Sequence, residues 1–104
     1  MDQFDNVEVI LAFTNQMVRV IYENTNDEDK RKKHIFTLNQ MLEVGVSAVK
    51  TLRQFIEQNP DTEIIKRELR IMIMTSLEGQ IDPDQEILLL LDQVVDFLVN
   101  AYTK

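Results

Sequence analysis

The feature that most constrains the fold is a ladder of apolar residues and one glycine in the middle of the chain. Its members follow one another at alternating steps of three and four residues: Ile35, Leu38, Leu42, Gly45, Val49, Leu52 and Ile56. This alternation places all of them on one face of an α-helix and is the heptad pattern of helices that pack along their length. The ladder therefore predicts a helix that buries one continuous stripe.

Gly45 lies on this stripe and would ordinarily suggest a helix end. The stripe crosses Gly45 without a change of phase, however, and two separate helices would have no reason to keep one register. We therefore predict one long helix over about residues 27–59, about 50 Å in length. The alternative is a pair of helices that breaks at Gly45. Because a glycine inside a helix costs about 1 kcal/mol relative to alanine, we expect it to allow a close packing contact.

Three more helices are predicted, each bounded by residues that cap or resist helices. Their expected spans are about residues 7–24, 60–78 and 82–102. Asn59-Pro60 marks a boundary, because the residue before a proline avoids the helical region. Gly79 is expected to end the third helix as a C-terminal cap residue. Asn26 and Asp82 are the expected N-caps of the long helix and of the fourth helix.

These helices predict a single all-α domain over residues 1–104. The chain has the length of one domain, and its two glycines and two prolines are too few for an all-β fold with many tight turns. Short connections favour antiparallel neighbours, so we expect a four-helix bundle with one long central helix. The fourth helix is apolar on most sides, so it should lie at the centre of the bundle or pack on a second chain.

The net charge of −7 is concentrated at the two ends of the chain. Residues 1–24 carry four acidic residues against one basic residue, and residues 78–104 carry six against one. This acidic balance opposes binding to nucleic acids or anionic membranes in general. The apolar runs are too short to span a bilayer, the N-terminal residues are acidic, and cysteine is absent. We therefore expect a cytoplasmic protein that does not associate with membranes.

Residues able to carry out chemistry are few. The chain has no cysteine and no glycine-rich phosphate loop, and His34 is its one histidine, so no second histidine can share a metal ion with it. We interpret His34 as a solvated or half-buried helix residue that is dispensable for folding and binding. Asp92 and Asp96 are interpreted as a solubilising stripe. The prediction is a protein that is not an enzyme and that has no cofactor or metal.

The main concentration of positive charge lies at the start of the long helix. It consists of Lys30, Arg31, Lys32 and Lys33. Three acidic residues precede it, and i,i+4 ion pairs with them account for the run without any ligand. If the third helix folds back beside this end, an anion or nucleic-acid patch would also include Lys66, Arg67 and Arg70. The alternative function is therefore a nucleic-acid-binding regulator that uses this central basic cluster.

The favoured function is protein binding, as a regulator, an inhibitor or an assembly chaperone. We also expect a homodimer, because the apolar surface of the fourth helix exceeds what a monomer covers unless that helix is central. The candidate interface consists of Leu89, Leu91, Val95, Leu98, Val99, Tyr102 and Gly45. Within it, Leu89 and Val99 are expected to be exposed unless a second chain covers them. The chain has the general look of small helical proteins from bacteria or their phages, but no motif carries that likeness, so no functional residue is transferred from it.

Overall fold

The computed structural model describes residues 7–58, 61–81 and 84–103. None of these residues lies in a β-strand, which confirms the predicted all-α class for the described part of the chain. In chain order the helices are α1 (Val7–Asn24), α2 (Glu28–Thr51), α3 (Arg53–Gln58), α4 (Thr62–Ser76) and α5 (Gln85–Thr103). The first of these has the bounds that its apolar spacing predicts.

Helix α2 carries the central stripe and passes through Gly45 without interruption, as the register predicts. A Cβ atom at Gly45 would lie only 2.5 Å from Cδ1 of Leu98 and 3.3 Å from Cδ1 of Ile73. The missing side chain therefore makes room for side chains of α5 and α4. This is the close packing contact that the glycine was expected to allow, and it lies within a single chain.

The prediction of one helix over residues 27–59 is wrong at Leu52, where the structure divides it. Leu52 has φ −84° and ψ 6°, so α2 ends at Thr51 and α3 begins at Arg53. The N–H of Leu52 still donates to the carbonyl oxygen of Ala48 at 2.9 Å, so the break is a local loosening and not a chain reversal. No residue of α3 is fully buried, and its apolar residues Phe55 and Ile56 are only partly buried against the core, so this end is held less tightly than the middle of α2.

Aspartate residues cap the N-termini of three helices. Asp27, Asp61 and Asp84 each accept a hydrogen bond from a backbone N–H in the turn that follows, which satisfies donors that a helix start leaves without partners. The expected cap Asn26 is thus wrong by one residue. The expected cap Asp82 lies outside the described residues, and Asp84 carries out that role for α5.

The connection after α4 contains the one described residue with a positive φ. Helix α4 ends at Ser76, and Gly79 follows it with φ 79°, a left-handed conformation that glycine adopts without a steric penalty. Gly79 thus turns the chain after α4, but the C-cap residue is Leu77, so the predicted cap at Gly79 is wrong by two residues. The predicted boundary at Asn59-Pro60 lies outside the described residues.

Helix α5 contributes the most buried apolar residues to the core and packs against both α2 and α4. Its buried stripe consists of Ile87, Leu90, Leu91, Val94, Val95, Leu98 and Val99. Among the described side chains of α1, by contrast, only Met17 and Ile21 are fully buried apolar residues. The core is therefore built mainly by α2, α4 and α5, and α1 has the smallest share in it of the four long helices.

Candidate functional site

A groove lies between α1 and the first half of α5 and reaches the start of α2. It encloses a cavity of about 530 Å³. Its apolar lining consists of Met17, Val20, Ile21, Leu89 and Leu90, and its polar lining includes His34 and Glu86. We refer to it as the α1–α5 groove.

Two apolar side chains, Val20 and Leu89, lie exposed above the apolar floor of the α1–α5 groove. Val20 exposes 38% of its surface and Leu89 exposes 59%, whereas Met17, Ile21 and Leu90 are buried beneath them. A leucine side chain contributes about 1.5–3 kcal/mol when it moves from water to a fully buried position. A second protein surface placed over these side chains would gain the part of that contribution that corresponds to their exposed surface.

An aromatic pair joins α1 to α5 at one end of the groove. The rings of Phe13 and Phe97 are stacked, with centroids 4.1 Å apart and 7° between the planes. Phe13 lies one helical turn before Met17, and Phe97 lies one turn after Gln93, which also lines the groove. The stack therefore closes the groove on the side away from His34.

His34 lies at the floor of the groove and is 3% exposed, so the prediction of a solvated or half-buried side chain is wrong. Its Nε2 lies 3.2 Å from Oε2 of Glu86, whose side chain is 54% exposed at the start of α5. This contact explains how a histidine can be buried beside an apolar core, because its polar ring atom has a partner. It also ties α2 to α5.

The groove offers no further group that would turn this pair into a metal site. Among the described residues, no cluster of three or more histidine, cysteine, aspartate or glutamate side chains is placed to hold a metal ion. In the described part of the chain, the pair of His34 and Glu86 forms a contact between α2 and α5 at the floor of the groove.

Most of the predicted protein interface lies inside the core, which corrects that prediction. Buried within the chain are Leu91, Val95, Leu98, Val99 and Gly45. The reason is the central position of α5, whose apolar stripe is covered by its own neighbours. Leu89 is exposed, whereas the expectation that Val99 is also exposed is wrong. The side chain of Tyr102 lies outside the described residues.

Arg31, a member of the predicted basic cluster, is engaged by the end of α1. Its Nε donates to the carbonyl oxygen of Thr25, and a terminal nitrogen donates to the carbonyl oxygen of Tyr22 at 3.0 Å. Its guanidinium carbon also lies 4.7 Å from the centroid of the Tyr22 ring. A cation at a helix C-terminus stabilises carbonyl groups that the helix leaves without donors. Arg31 therefore closes the connection from α1 to α2.

The basic residues of α4 pair with acidic residues of α5. Nζ of Lys66 lies 3.2 Å from Oδ1 of Asp96, and the guanidinium of Arg70 donates to Asp92. The interpretation of Asp92 and Asp96 as a solubilising stripe is thus incomplete, because both bridge two helices. Arg67 lines the same charged surface.

The structure does not bring the two basic clusters into one patch. Gly45 lies against Ile73, and the side chain of Gln40 contacts that of Gln80, so the end of α4 lies nearer the start of α2 than its beginning does. Lys66 and Arg70 therefore lie beyond Gly45, toward the end of α2. The run at residues 30–33 lies on the other side of Gly45, roughly 20 Å from that glycine along the helix axis at a rise of 1.5 Å per residue.

The α1 wall of the groove was not predicted from the sequence. The available signal was the width of the apolar stripe of α1, because Phe13 and Val20 lie beside the positions that the core uses, Met17 and Ile21. A stripe wider than the buried face leaves apolar surface at its edge. The pairing of His34 with Glu86 had no sequence signal, since 52 positions separate the two residues.

Comparison with known proteins adds no relative: no family model matches the chain, and no curated protein or solved structure gives a significant match. Among the described residues, no helix is long and apolar enough to cross a membrane.

Proposed function

We propose that this protein is a non-enzymatic protein-interaction module that docks a partner protein in the α1–α5 groove. The observation that carries the proposal is the exposure of Leu89 and Val20 above a buried apolar floor. The buried stripe of α5 is used inside the chain, so among the described members of the predicted interface Leu89 is the one that can meet a partner without unfolding. A regulator, an inhibitor and an assembly chaperone all act through such docking.

The distribution of polar groups around the groove also supports a protein partner. Amide side chains of Gln16, Asn24 and Gln93 surround the apolar floor. An apolar centre with a polar, solvent-accessible rim is the usual anatomy of a protein interface, in which a few buried anchors supply most of the binding energy. Polar groups on the rim favour one docking orientation, because their hydrogen bonds are satisfied in it.

The alternative, a nucleic-acid-binding regulator, has less support. Binding to phosphates requires basic side chains that are available to neutralise them. Arg31 donates to backbone carbonyl groups, and Lys66 and Arg70 pair with aspartates. The chain as a whole is acidic, with a net charge of −7, which repels a phosphate backbone.

The proposal includes an antiparallel four-helix bundle of α1, α2, α4 and α5, with α2 as the long central helix. For α2 and α4, the contacts of Gln40 with Gln80 and of Gly45 with Ile73 support opposite directions, because one residue number rises as the other falls. For α4 and α5, the pairs Lys66 with Asp96 and Arg70 with Asp92 support opposite directions in the same way.

The place of the groove in this arrangement explains why it is open. Phe13 contacts Phe97 near the start of α1, and Asn24 and Glu86 line the other end of the groove, which supports opposite directions for α1 and α5. These are the first and last helices of the proposed bundle, so no loop joins them directly. Helices α1 and α5 share few close contacts, which leaves the groove between them open. We place the protein in the cytoplasm, where its partner would also be.

Site-specific photo-crosslinking in the source organism tests the proposal. A photoreactive phenylalanine analogue is placed at Leu89, and in a control at Phe36, which is exposed on the outer side of α2. The expected result is a covalent adduct to one partner protein from position 89 that position 36 does not give. The proposal is wrong if both positions give the same adducts, or if position 89 gives none. A homodimer through this surface, the assembly predicted from the sequence, would instead give an adduct of two copies of the chain.

A further inference from the structure

The charge of the α1–α5 groove is one-sided. Among the described residues that line it, Glu86 is the one carboxylate, and no lysine or arginine is present. His34 contacts one carboxylate oxygen of Glu86, Oε2, while about half of the Glu86 side chain faces solvent. The groove therefore presents a fixed negative group at the edge of an apolar floor.

The charge of the surrounding segments has the same sign. The two helices that form the groove belong to the acidic end segments of the chain, residues 1–24 and 78–104. Of the basic run at residues 30–33, which precedes His34 at one end of the groove, Arg31 is directed to the end of α1, where it donates to backbone carbonyl groups. A field of one sign steers a partner of the opposite sign toward the site.

The dimensions of the groove fit a short helix. Its α1 wall runs from Gln16 to Thr25 and its α5 wall from Glu86 to Gln93, which correspond to about 14 Å and about 10 Å at 1.5 Å per residue. Two turns of a third helix span about 11 Å, and anchors at positions i, i+3 or i+4, and i+7 cover that length on one face. Side chains of a helix laid between two others fill the groove between them.

We infer that the α1–α5 groove binds a basic amphipathic helix of a partner protein. Its apolar anchors pack on Val20 and Leu89, and a lysine or arginine beside them pairs with Glu86. This inference rests on the proposed docking function and names the chemistry of the partner. A second copy of the chain fits less well, because it brings its own net charge of −7 to an acidic groove.

Two pairs of variants separate the apolar contribution from the charged one. Leu89→Asp places a carboxylate on the rim, and Leu88→Asp is its control, because Leu88 is exposed on the same helix but does not line the groove. Glu86→Gln removes the charge and keeps a side chain that can accept a hydrogen bond from His34. Glu43→Gln removes the same charge from an exposed position of α2. Circular dichroism confirms that each variant is folded.

The experiment is a selection from a displayed library of helical peptides. Each peptide of about five turns has apolar residues at heptad positions on one face and random residues at the flanking positions. Clones that bind the wild-type protein are sequenced, and their affinities are measured by fluorescence anisotropy. We expect the enriched flanks to be rich in lysine and arginine. We also expect Leu89→Asp to weaken binding by about tenfold or more, and Glu86→Gln by about threefold at low salt and less at high salt. The two control variants should change affinity by less than about twofold.

The outcomes separate the inference from the proposed function. If Leu89→Asp abolishes binding but the enriched flanks are neutral or acidic, or if Glu86→Gln has no effect, the basic helix is wrong and the docking groove stands. If Leu88→Asp weakens binding as much as Leu89→Asp, or if no clone is enriched, both are overturned. Sedimentation of the free protein supplies the remaining outcome. A wild-type dimer that Leu89→Asp dissociates would make a second copy the occupant and overturn the inference.

Discussion

The two sides of α5 are packed in different ways. Toward α4, buried side chains from both helices meet, and two ion pairs, Lys66 with Asp96 and Arg70 with Asp92, lie along the outside. Toward α1, the ring stack of Phe13 on Phe97 is the main direct contact, and the α1–α5 groove lies next to it. One side of the helix is sealed and the other is partly open.

The difference indicates where a small helical protein can expose a binding surface. A sealed contact contributes to stability, and changes there alter the whole fold. An open contact between rigid helices leaves apolar surface exposed at a defined place without weakening the core. Leu89 illustrates the second case, because it lies on the same helix as the core residue Leu98 and yet is 59% exposed.

The largest effect is expected on the sealed side. Leu69→Ala should lower the free energy of unfolding by about 3 kcal/mol, because Leu69 is fully buried in α4 and its truncation leaves a cavity. Leu89→Ala should lower it by less than about 0.5 kcal/mol, because that side chain is largely in water already. Urea denaturation followed by circular dichroism measures both. Equal losses would contradict the distinction between a sealed and an open side.

Overfilling the sealed side should have the next largest effect. Gly45→Leu should destabilise the protein by about 2 kcal/mol, because a side chain there collides with Leu98 and Ile73 in a packed core. The gain in helix propensity, about 0.8 kcal/mol, offsets only part of this. Ser47→Leu, at an exposed position of the same helix, is the control and should leave stability nearly unchanged. The same denaturation measurement decides, and a stabilised Gly45→Leu variant would show that the contact can relax.

A smaller effect is expected from the contact at the floor of the groove. His34→Ala should cost about 1–2 kcal/mol, because it removes a buried side chain and leaves Glu86 without this partner. His34 was expected from the sequence to be dispensable, and its burial reverses that expectation. Relative to wild type, amide hydrogen exchange in the variant should increase more at the start of α5 than in α4. If the variant keeps the exchange rates and the denaturation midpoint of wild type, His34 is dispensable, as the sequence predicted. Asn39→Ala is the control at an exposed position of the same helix.

The ion pairs should contribute least. Arg70→Ala should lower the free energy of unfolding by about 0.5 kcal/mol or less, because both Arg70 and Asp92 are about half exposed and water screens their interaction. The difference from wild type should shrink further in 1 M salt. A loss of several kcal/mol in thermal or urea unfolding would mean that these pairs, and not apolar packing, seal the α4 side.

Periodicity predicted the helices well and predicted their interruption poorly. The unbroken register of the central ladder indicated a helix through Gly45, and the structure confirms it. The same register continues through Leu52, where the helix is interrupted. A pattern of apolar residues reports which face is buried, and that face can stay in phase across a one-residue loosening. The break lies where burial decreases, because Leu52, Phe55 and Ile56 are only partly buried against the core.

The candidate site was harder to predict than the fold. The sequence shows that α5 is apolar on most sides, but the same pattern fits a helix at a dimer interface and a helix at the centre of one chain. Five of the seven predicted interface residues are buried, because the second case holds. Leu89 was predicted from its place next to the polar line of the helix. Its partner in the groove, Val20, depends on a contact between distant helices that no local pattern records.

The central claim is that the α1–α5 groove is the docking surface, and a methyl NMR titration tests it most directly. The protein is labelled at the methyl groups of its leucine, valine and isoleucine residues and titrated with a peptide from the selection. The account predicts that signals of Val20, Ile21, Leu89 and Leu90 shift and saturate together, while those of the exposed residues Leu88 and Ile71 stay in place. Saturating shifts at Ile71 or Leu88, with the signals of Val20 and Leu89 unmoved, would contradict it.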